Sequence, residues 1–270
     1  MSADLHVHTS FSDGTESPET VADKAKQAGL TSIAITDHDT MAGAARAMGR
    51  GVEIIPGIEF TTETPKTEIH ILGFFVDENN PALRAEIDKI QHGRETRICE
   101  MCEKLAAQGA KIDPERVFSI AGHRDAGRPH VAKALVEAGF VPNFKEAFNR
   151  YIDFKGPAYV PHYKLAPEEA VKLVKAAGGV PVFAHPAISN ADELIPSLVA
   201  AGLRGIEVYY PTHGQSRIQH YSSLAKKYNL LMTGGTDYHG PNSGREIELG
   251  ALTVPDELVD KLKNEHLRRN

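Results

Sequence analysis

"ADLHVHTSFSDGT", residues Ala3–Thr15, places His6, His8 and Asp13 within eight residues near the start of the chain. The apolar run around the histidines predicts a strand over Ala3–Val7, and residues two apart on a strand share a face. His6 and His8 then stand side by side, about 7 Å apart at ~3.3 Å of rise per residue. That spacing suits two imidazoles converging on one cation, but an isolated His-x-His is also met as a pair of exposed strand histidines. The rest of the chain decides between the two readings, and with them the fold.

The arrangement recurs. Apolar runs over Ser32–Ile35, Val52–Ile55, Glu68–Phe75, Val180–Ala184, Gly205–Tyr209 and Leu230–Thr233 predict six further strands. They alternate with helical patterns such as Ser17–Ala28 and Pro167–Ala177, opened by proline and closed by glycine. Such alternation predicts an α/β chain with a parallel sheet, close in strand number to a barrel. Each run finishes in residues of metal-ligand type: "TDHDT" with Asp37, His38 and Asp39, "PGIEF" with Glu59, "EIHILGF" with His70. The later ones are "AHP" with His185, "GIEVYYP" with Glu207 and "TDYHG" with Asp237 and His239. Singly, each has an ordinary use, as a helix cap, a solvated turn residue or a hydrogen-bonded core histidine. A structural use gives histidine no reason to return at successive strand ends. Imidazole and carboxylate together bind Mn²⁺, Fe²⁺ and Zn²⁺, so His6 and His8 read as the first ligands of a cluster.

The bulk properties narrow the partners. The chain has 270 residues, 41% hydrophobic and 24% charged, with a net charge of −6. It lacks the basic field that duplex DNA requires. No apolar run reaches the ~20 residues of a membrane span, and the N-terminus lacks a secretory pattern, so a cytoplasmic protein is expected. Cys99 and Cys102 share a helical face with Ile98, Met101 and Leu105, which predicts core residues rather than a zinc module. Residues 79–162 break the strand–helix rhythm with successive helical patterns. They predict a helical insertion between two parts of the sheet domain, 1–78 and 163–270, hanging over the strand ends as a lid.

Taken in order, "HVHTSFSDGT", "TDHDT", "GIEF", "IHILG", "AHP", "GIEVYYP" and "TDYHG" resemble the polymerase and histidinol phosphatase (PHP) family of metal-dependent phosphoesterases. The insertion motif "GRPHVAKAL" resembles the subgroup acting on nucleotide 3′,5′-bisphosphates and RNA 5′ ends. The resemblance implies a distorted (β/α)₇ barrel with two to three divalent ions, Mn²⁺, Fe²⁺ or Zn²⁺. It implies one ion on His6, His8, Glu59 and Asp237, a second on Glu59, His70 and His185, and a third on Asp13, His38 and His239. It also implies substrate roles for Arg128, His130 and His213, with a protonated His213 assisting the leaving group. The expected substrate is a small phosphate ester, a nucleotide or short oligoribonucleotide with one phosphate cleaved and one read. Nothing in the insertion reads as a base pocket, so base identity is expected to matter little. The alternatives are a histidinol-phosphate-type phosphomonoesterase, an amidohydrolase-like metallo-hydrolase, and a non-enzymatic binding module. His92, His123, His162, His220 and His266 are left as surface or packing residues.

Overall fold

Strand β1 (Ser2–Val7) is buried from Ala3 onward, and β2 (Ser32–Ile35) is buried along its whole length. Strands covered on both faces belong inside a ring of helices. Helix α1 (Pro18–Gln27) joins them, its first turn capped by the Ser17 side chain accepting from Thr20 N–H, its Val21, Ala22 and Ala25 turned inward. A short α2 (Ala42–Ala47) leads to the long β3 (Glu53–Glu63), which turns directly into β4 (Glu68–Phe74). The computed structural model describes residues 2–122, 126–161 and 165–268.

After β4 come α3 (Pro81–Ala107), α4 (Pro114–Ala121), α5 (Arg128–Glu137), α6 (Phe144–Ala147) and a π turn over Phe148–Ile152, with no strand between them among the described residues. The barrel resumes with α7 (Pro167–Ala176), β5 (Val180–Phe183), α8 (Pro186–Ser189), α9 (Ile195–Ala201), β6 (Gly205–Tyr209), α10 (Gln215–Tyr228) and β7 (Leu231–Gly234). It ends with β8 (Val254–Pro255) and α11 (Asp256–Leu267). The sheet order is β7-β6-β5-β4-β3-β2-β1-β8. Tyr238, just past β7, makes a parallel bridge to Val7 of β1 and all but closes the sheet into a barrel.

The parallel layout expected from the sequence is corrected at three places. β3 pairs antiparallel with β4, β4 antiparallel with β5, and β1 antiparallel with the two-residue β8. The four residues 64–67 between β3 and β4 are too few for a parallel crossover, which takes a dozen or more. Glu59 accordingly lies within β3 rather than after it, and His70 sits opposite Thr61 on a strand running the other way. The barrel mouth therefore receives His70 from the early part of its strand.

Two apolar centres lie along α3. Its first half sends Leu83 and Ile90 into the barrel core with Phe60, Ile71 and Phe183. Its second half packs Ile98, Met101, Cys102 and Leu105 against Val117, Val131, Leu135 and Ile152 of the helices that follow. Cys102 is a core residue, as its spacing predicts.

Candidate metal centre

β1 delivers His6 and His8 to the barrel interior, both fully buried. The loop after it turns tightly and carries Asp13. Asp37 braces this loop, its carboxylate accepting from Thr9 N–H at 2.7 Å, Thr9 Oγ1 at 2.8 Å and Ser12 Oγ at 2.7 Å. Of the three residues in "TDHDT", only His38 faces the centre. Asp39 instead pairs with Arg94 and accepts from Thr61 N–H. Asp39, His185 and Asp237 all have positive φ, at 52°, 26° and 55°. Such strained backbone at non-glycine residues collects where function demands it. Gly235 is needed for a different reason, since a Cβ there would lie 2.4 Å from the His6 amide nitrogen.

The nine residues that the resemblance implies as ligands lie together here. His6, His8, Glu59 and Asp237 bring ligand atoms to within 4.8 Å of one another, as do His8, Asp13, His38 and His239, and His38, Glu59 and His70. His185 joins through Nε2, 3.1 Å from Glu59 Oε1, while His70 Nδ1 lies 2.9 Å from the same oxygen. Glu59 is the hub, in contact with His6, His8, His38, His70 and His185. His8 belongs to two groups, presenting Nε2 to Glu59 and Asp237 at 3.1 and 3.2 Å and Nδ1 to Asp13 at 3.7 Å.

The donor atoms fit divalent cations. His6 Nε2, His8 Nδ1 and Nε2, His185 Nδ1, His239 Nε2 and Asp237 Oδ1 are buried without a hydrogen-bond partner among the described residues. Buried polar atoms are rarely left so, and those of His6, His8, His239 and Asp237 belong to groups that converge. On His6 and His239 the opposite ring nitrogen is engaged. His6 Nδ1 lies 3.0 Å from Glu207 Oε1, and His239 Nδ1–H donates to the Asp237 carbonyl at 2.7 Å. Each such bond fixes a tautomer that leaves Nε2 free to ligate. Glu207, a ligand-type residue in the sequence, is thus an orienting group, its Oε2 also accepting from His185 N–H at 2.7 Å. Asp237 divides its oxygens in the same way. Oδ2 accepts from Tyr210 Oη–H at 2.9 Å and pairs with Arg245, while Oδ1 stays with His6 and His8.

The electrostatics express the same demand for positive charge. Burial opposes ionisation of Asp13, Glu59 and Asp237, yet the surrounding imidazoles, with Arg245 beside Asp237, hold all three carboxyls well below the usual range. Burial likewise opposes a charged His8, but Asp237 and Glu59 push its imidazole up to about 9. His38 moves the other way, held well below its ordinary value chiefly by burial, with His8 and His70 adding to it.

A cleft of about 120 Å³ opens beside the cluster, with Asp13, His38 and His70 on one wall and Arg94, Arg97 and Arg128 on the other. Arg128 and His130, singled out in the sequence, both line it. Arg128 pairs with Glu68 and lies over the Phe148 and Tyr159 rings at 5.6 and 5.7 Å. His130 spends Nδ1 on the Gly127 N–H at 3.0 Å, capping α5. Arg94, Arg97 and Arg245 are cleft residues that the sequence reading missed. Arg97 is 4% exposed, and its Nη2 has no hydrogen-bond partner among the described residues. Burial, together with Arg128 and Arg94, pulls its guanidinium down to about 10. The available signal was charge on an apolar stripe, since Arg94 falls at helical spacing between Ile90 and Ile98.

His213 stands one ring back from the cluster, 5.4 Å from Tyr210, which is itself 5.4 Å from His185. Its Nδ1–H donates to the Val208 carbonyl at 2.9 Å, and burial lowers its imidazole below the ordinary value. Burial thus favours its neutral form, and Nε2 has no hydrogen-bond partner among the described residues. His92, His220 and His266 bond at or near the surface, to Asp88 O, Asp192 and Gly178 O. His123, His162 and Arg124 lie outside the described residues.

This geometry can be set beside known proteins. A model of the PHP domain matches residues 4–112. The 3′,5′-nucleoside bisphosphate phosphatase of Chromobacterium violaceum is 32% identical over 251 residues, covering 89% of this chain and 88% of that protein. The chain belongs to the PHP family. The phosphoribosyl 1,2-cyclic phosphate 1,2-diphosphodiesterase of Eggerthella lenta is 34% identical, covering 89% and 95%. A 5′-3′ exoribonuclease of Haemophilus influenzae is 30% identical, covering 93% and 96%. A crystal structure from Bifidobacterium adolescentis, provisionally assigned as a metal-dependent phosphoesterase, superposes with a TM-score of 0.89 at 33% identity over 99% of this chain and 96% of that one. The chain is accordingly a metal-dependent phosphoesterase of the PHP family.

Proposed function

We propose that this PHP enzyme hydrolyses phosphate esters of nucleotides that carry a second phosphate, as 3′,5′-bisphosphates or 5′-phosphorylated short RNA. The reading rests on one observation, the arginine wall of Arg94, Arg97 and Arg128 facing the carboxylate–imidazole cluster across a single cleft. A monoester needs one anionic site. A second phosphate accounts for a buried guanidinium such as Arg97, whose Nη2 lacks an acceptor among the described residues, because a planar fork matches phosphate oxygens.

We assign His6, His8, Asp13, His38, Glu59, His70, His185, Asp237 and His239 to two or three divalent ions, Mn²⁺, Fe²⁺ or Zn²⁺. Such ions, when bound, supply positive charge to the ester oxygens and an acidified water at neutral pH. Glu207 orients His6 and His185 N–H, and Tyr210 with Arg245 holds Asp237. Arg97 and Arg128 anchor the uncleaved phosphate, so that its binding energy orients the scissile ester. His213 Nε2 accepts a proton near the cluster. Residues 79–162 act as the insertion that supplies the anion-binding wall. A net charge of −6 suits small anions met by this local device rather than duplex DNA. No helix among the described residues is long and apolar enough to cross a membrane, and we place the enzyme in the cytoplasm.

The Eggerthella relative favours a second reading, hydrolysis of a cyclic phosphodiester on a phosphoribosyl group, which also presents two phosphates. Phosphate release and ring opening are measured across adenosine 3′,5′-bisphosphate, AMP, phosphoribosyl 1,2-cyclic phosphate, histidinol phosphate and 5′-phosphorylated ribo-oligomers. The bisphosphate or the oligomers are expected to have by far the highest kcat/KM. Equal rates on mono- and bisphosphates, or preference for histidinol phosphate, overturn the reading.

A further inference from the structure

The arginine cleft does not end at His130. A second cleft of about 180 Å³ continues from it, sharing Asp13, Pro129 and His130 with the first. Its lining changes at that boundary. The first cleft is walled by guanidinium, imidazole and carboxylate groups, whereas the second sets Ile120, Ala121 and the Phe144 ring among Ser10, Thr15, Lys133, Asn242 and Ser243. The Phe144 ring is half-buried and backed by the Gly244 main chain, where a Cβ would lie 3.1 Å from the ring. Gly244 has φ of 88°, so the approach relies on glycine. A mixed cleft with one aromatic wall and amide, hydroxyl and ammonium groups around it suits a planar heterocycle, which stacks on the ring while its edge meets polar atoms.

We propose that this second cleft is a nucleobase subsite, with Phe144 as its stacking platform and Asn242 as the group that meets the base edge. The proposal rests on the two-phosphate reading for its orientation. A nucleotide with its phosphates between the cluster and the arginines can reach the second cleft with its base, because the two clefts share Asp13, Pro129 and His130. The sequence suggests no such subsite because its walls come from three distant stretches: Ile120 in the last turn of α4, Phe144 at the start of α6, and residues 242–244 after β7. The consequence is a preference for nucleotides over base-free sugar phosphates.

Calorimetric binding of AMP and of ribose 5-phosphate to protein purified without chelator tests it, in the wild type, Phe144→Leu and Phe144→Tyr. The wild type is expected to prefer AMP. Phe144→Leu, which keeps the apolar bulk packed on the helical core, should reduce that preference about 5- to 150-fold, the range of one base–aromatic stack. Phe144→Tyr should retain it, and ribose 5-phosphate affinity should be the same in all three, which also reports an intact fold. Equal wild-type affinity for the two ligands, or a Phe144→Leu loss shared equally by both, overturns the subsite. Phosphate release from adenosine 3′,5′-bisphosphate is read in parallel. Absent release with the AMP preference intact rejects the catalytic reading and leaves the subsite standing.

Discussion

The two walls of the cleft are built on opposite principles. On the barrel wall, carboxylates and imidazoles are pressed together with their free atoms facing one another, a donor set suited to divalent cations. On the insertion wall, guanidiniums crowd together, and Arg97 is lowered to about 10 by burial and its like-charged neighbours. On the second wall Arg94 and Arg128 are paired with Asp39 and Glu68, while Arg97 Nη2 has no hydrogen-bond partner among the described residues. Under the proposed function, a metal–phosphate complex meets both walls. If this comparison is right, substitutions on the two walls fail in different ways.

The largest effect belongs to the barrel wall. Glu59→Gln and Asp237→Asn remove the hub carboxylate and the carboxylate shared by His6 and His8. Both should lose metal by elemental analysis and lower kcat far beyond the ~10–100-fold typical of an orienting partner. Chelation should do the same to the wild type and divalent metal should restore it. Full turnover at confirmed zero metal content would erase the distinction between the walls.

Arg97→Met comes next. Metal content should be unchanged, while kcat/KM for a bisphosphate falls about 10- to 150-fold, the worth of a charge-assisted hydrogen bond. The loss on AMP should be smaller, because that substrate has no second phosphate to anchor. A parallel loss of metal would show that the insertion wall serves the cluster and not the substrate.

Glu207→Gln tests the partner that orients His6. Metal affinity should fall ~10–100-fold with the fold intact, as expected for a residue that sets a ligand's tautomer. A competition titration with a chromogenic chelator measures it. Affinity equal to the wild type would make Glu207 a packing residue.

The same contrast explains what the sequence made legible. The barrel ligands could be read because strand alternation and residue chemistry are both local signals: His6 and His8 are two apart, and His185, Asp237 and His239 follow their strands directly. The direction of β4 was hidden because an apolar run carries no polarity, and only the short 64–67 connection reveals it. Glu207 was legible as a ligand type but not as an orienting group, since its two hydrogen bonds reach His6 and His185 across the barrel. Arg94 and Arg97 were not singled out, because their burial exists only once α3 crosses the mouth, and the charge on its apolar stripe is a weak signal by itself. Two-residue β8 offered too little pattern to see at all.

The smallest effect asks whether the two regions are also separate mechanically. Cys102 is 3% exposed in the helical core formed by the second half of α3, and burial pushes its thiol up to about 12, with Cys99 and Asp113 adding to it. A raised thiol value means the folded state holds the proton more tightly than the unfolded one, whose thiol titrates near 9.0. Its contribution to stability is thus fully present below about pH 9 and is lost as pH rises toward 12. At pH 8 the native thiolate is scarce, so iodoacetamide should label Cys102 only through opening of that core. None of the groups converging on the cluster belongs to this apolar centre. Removing metal should therefore leave the Cys102 labelling rate, followed by peptide mass spectrometry, unchanged even as turnover disappears. Rapid labelling on chelation would mean that the cations hold the helices down on the barrel, and that the insertion wall is assembled only when the metals are in place.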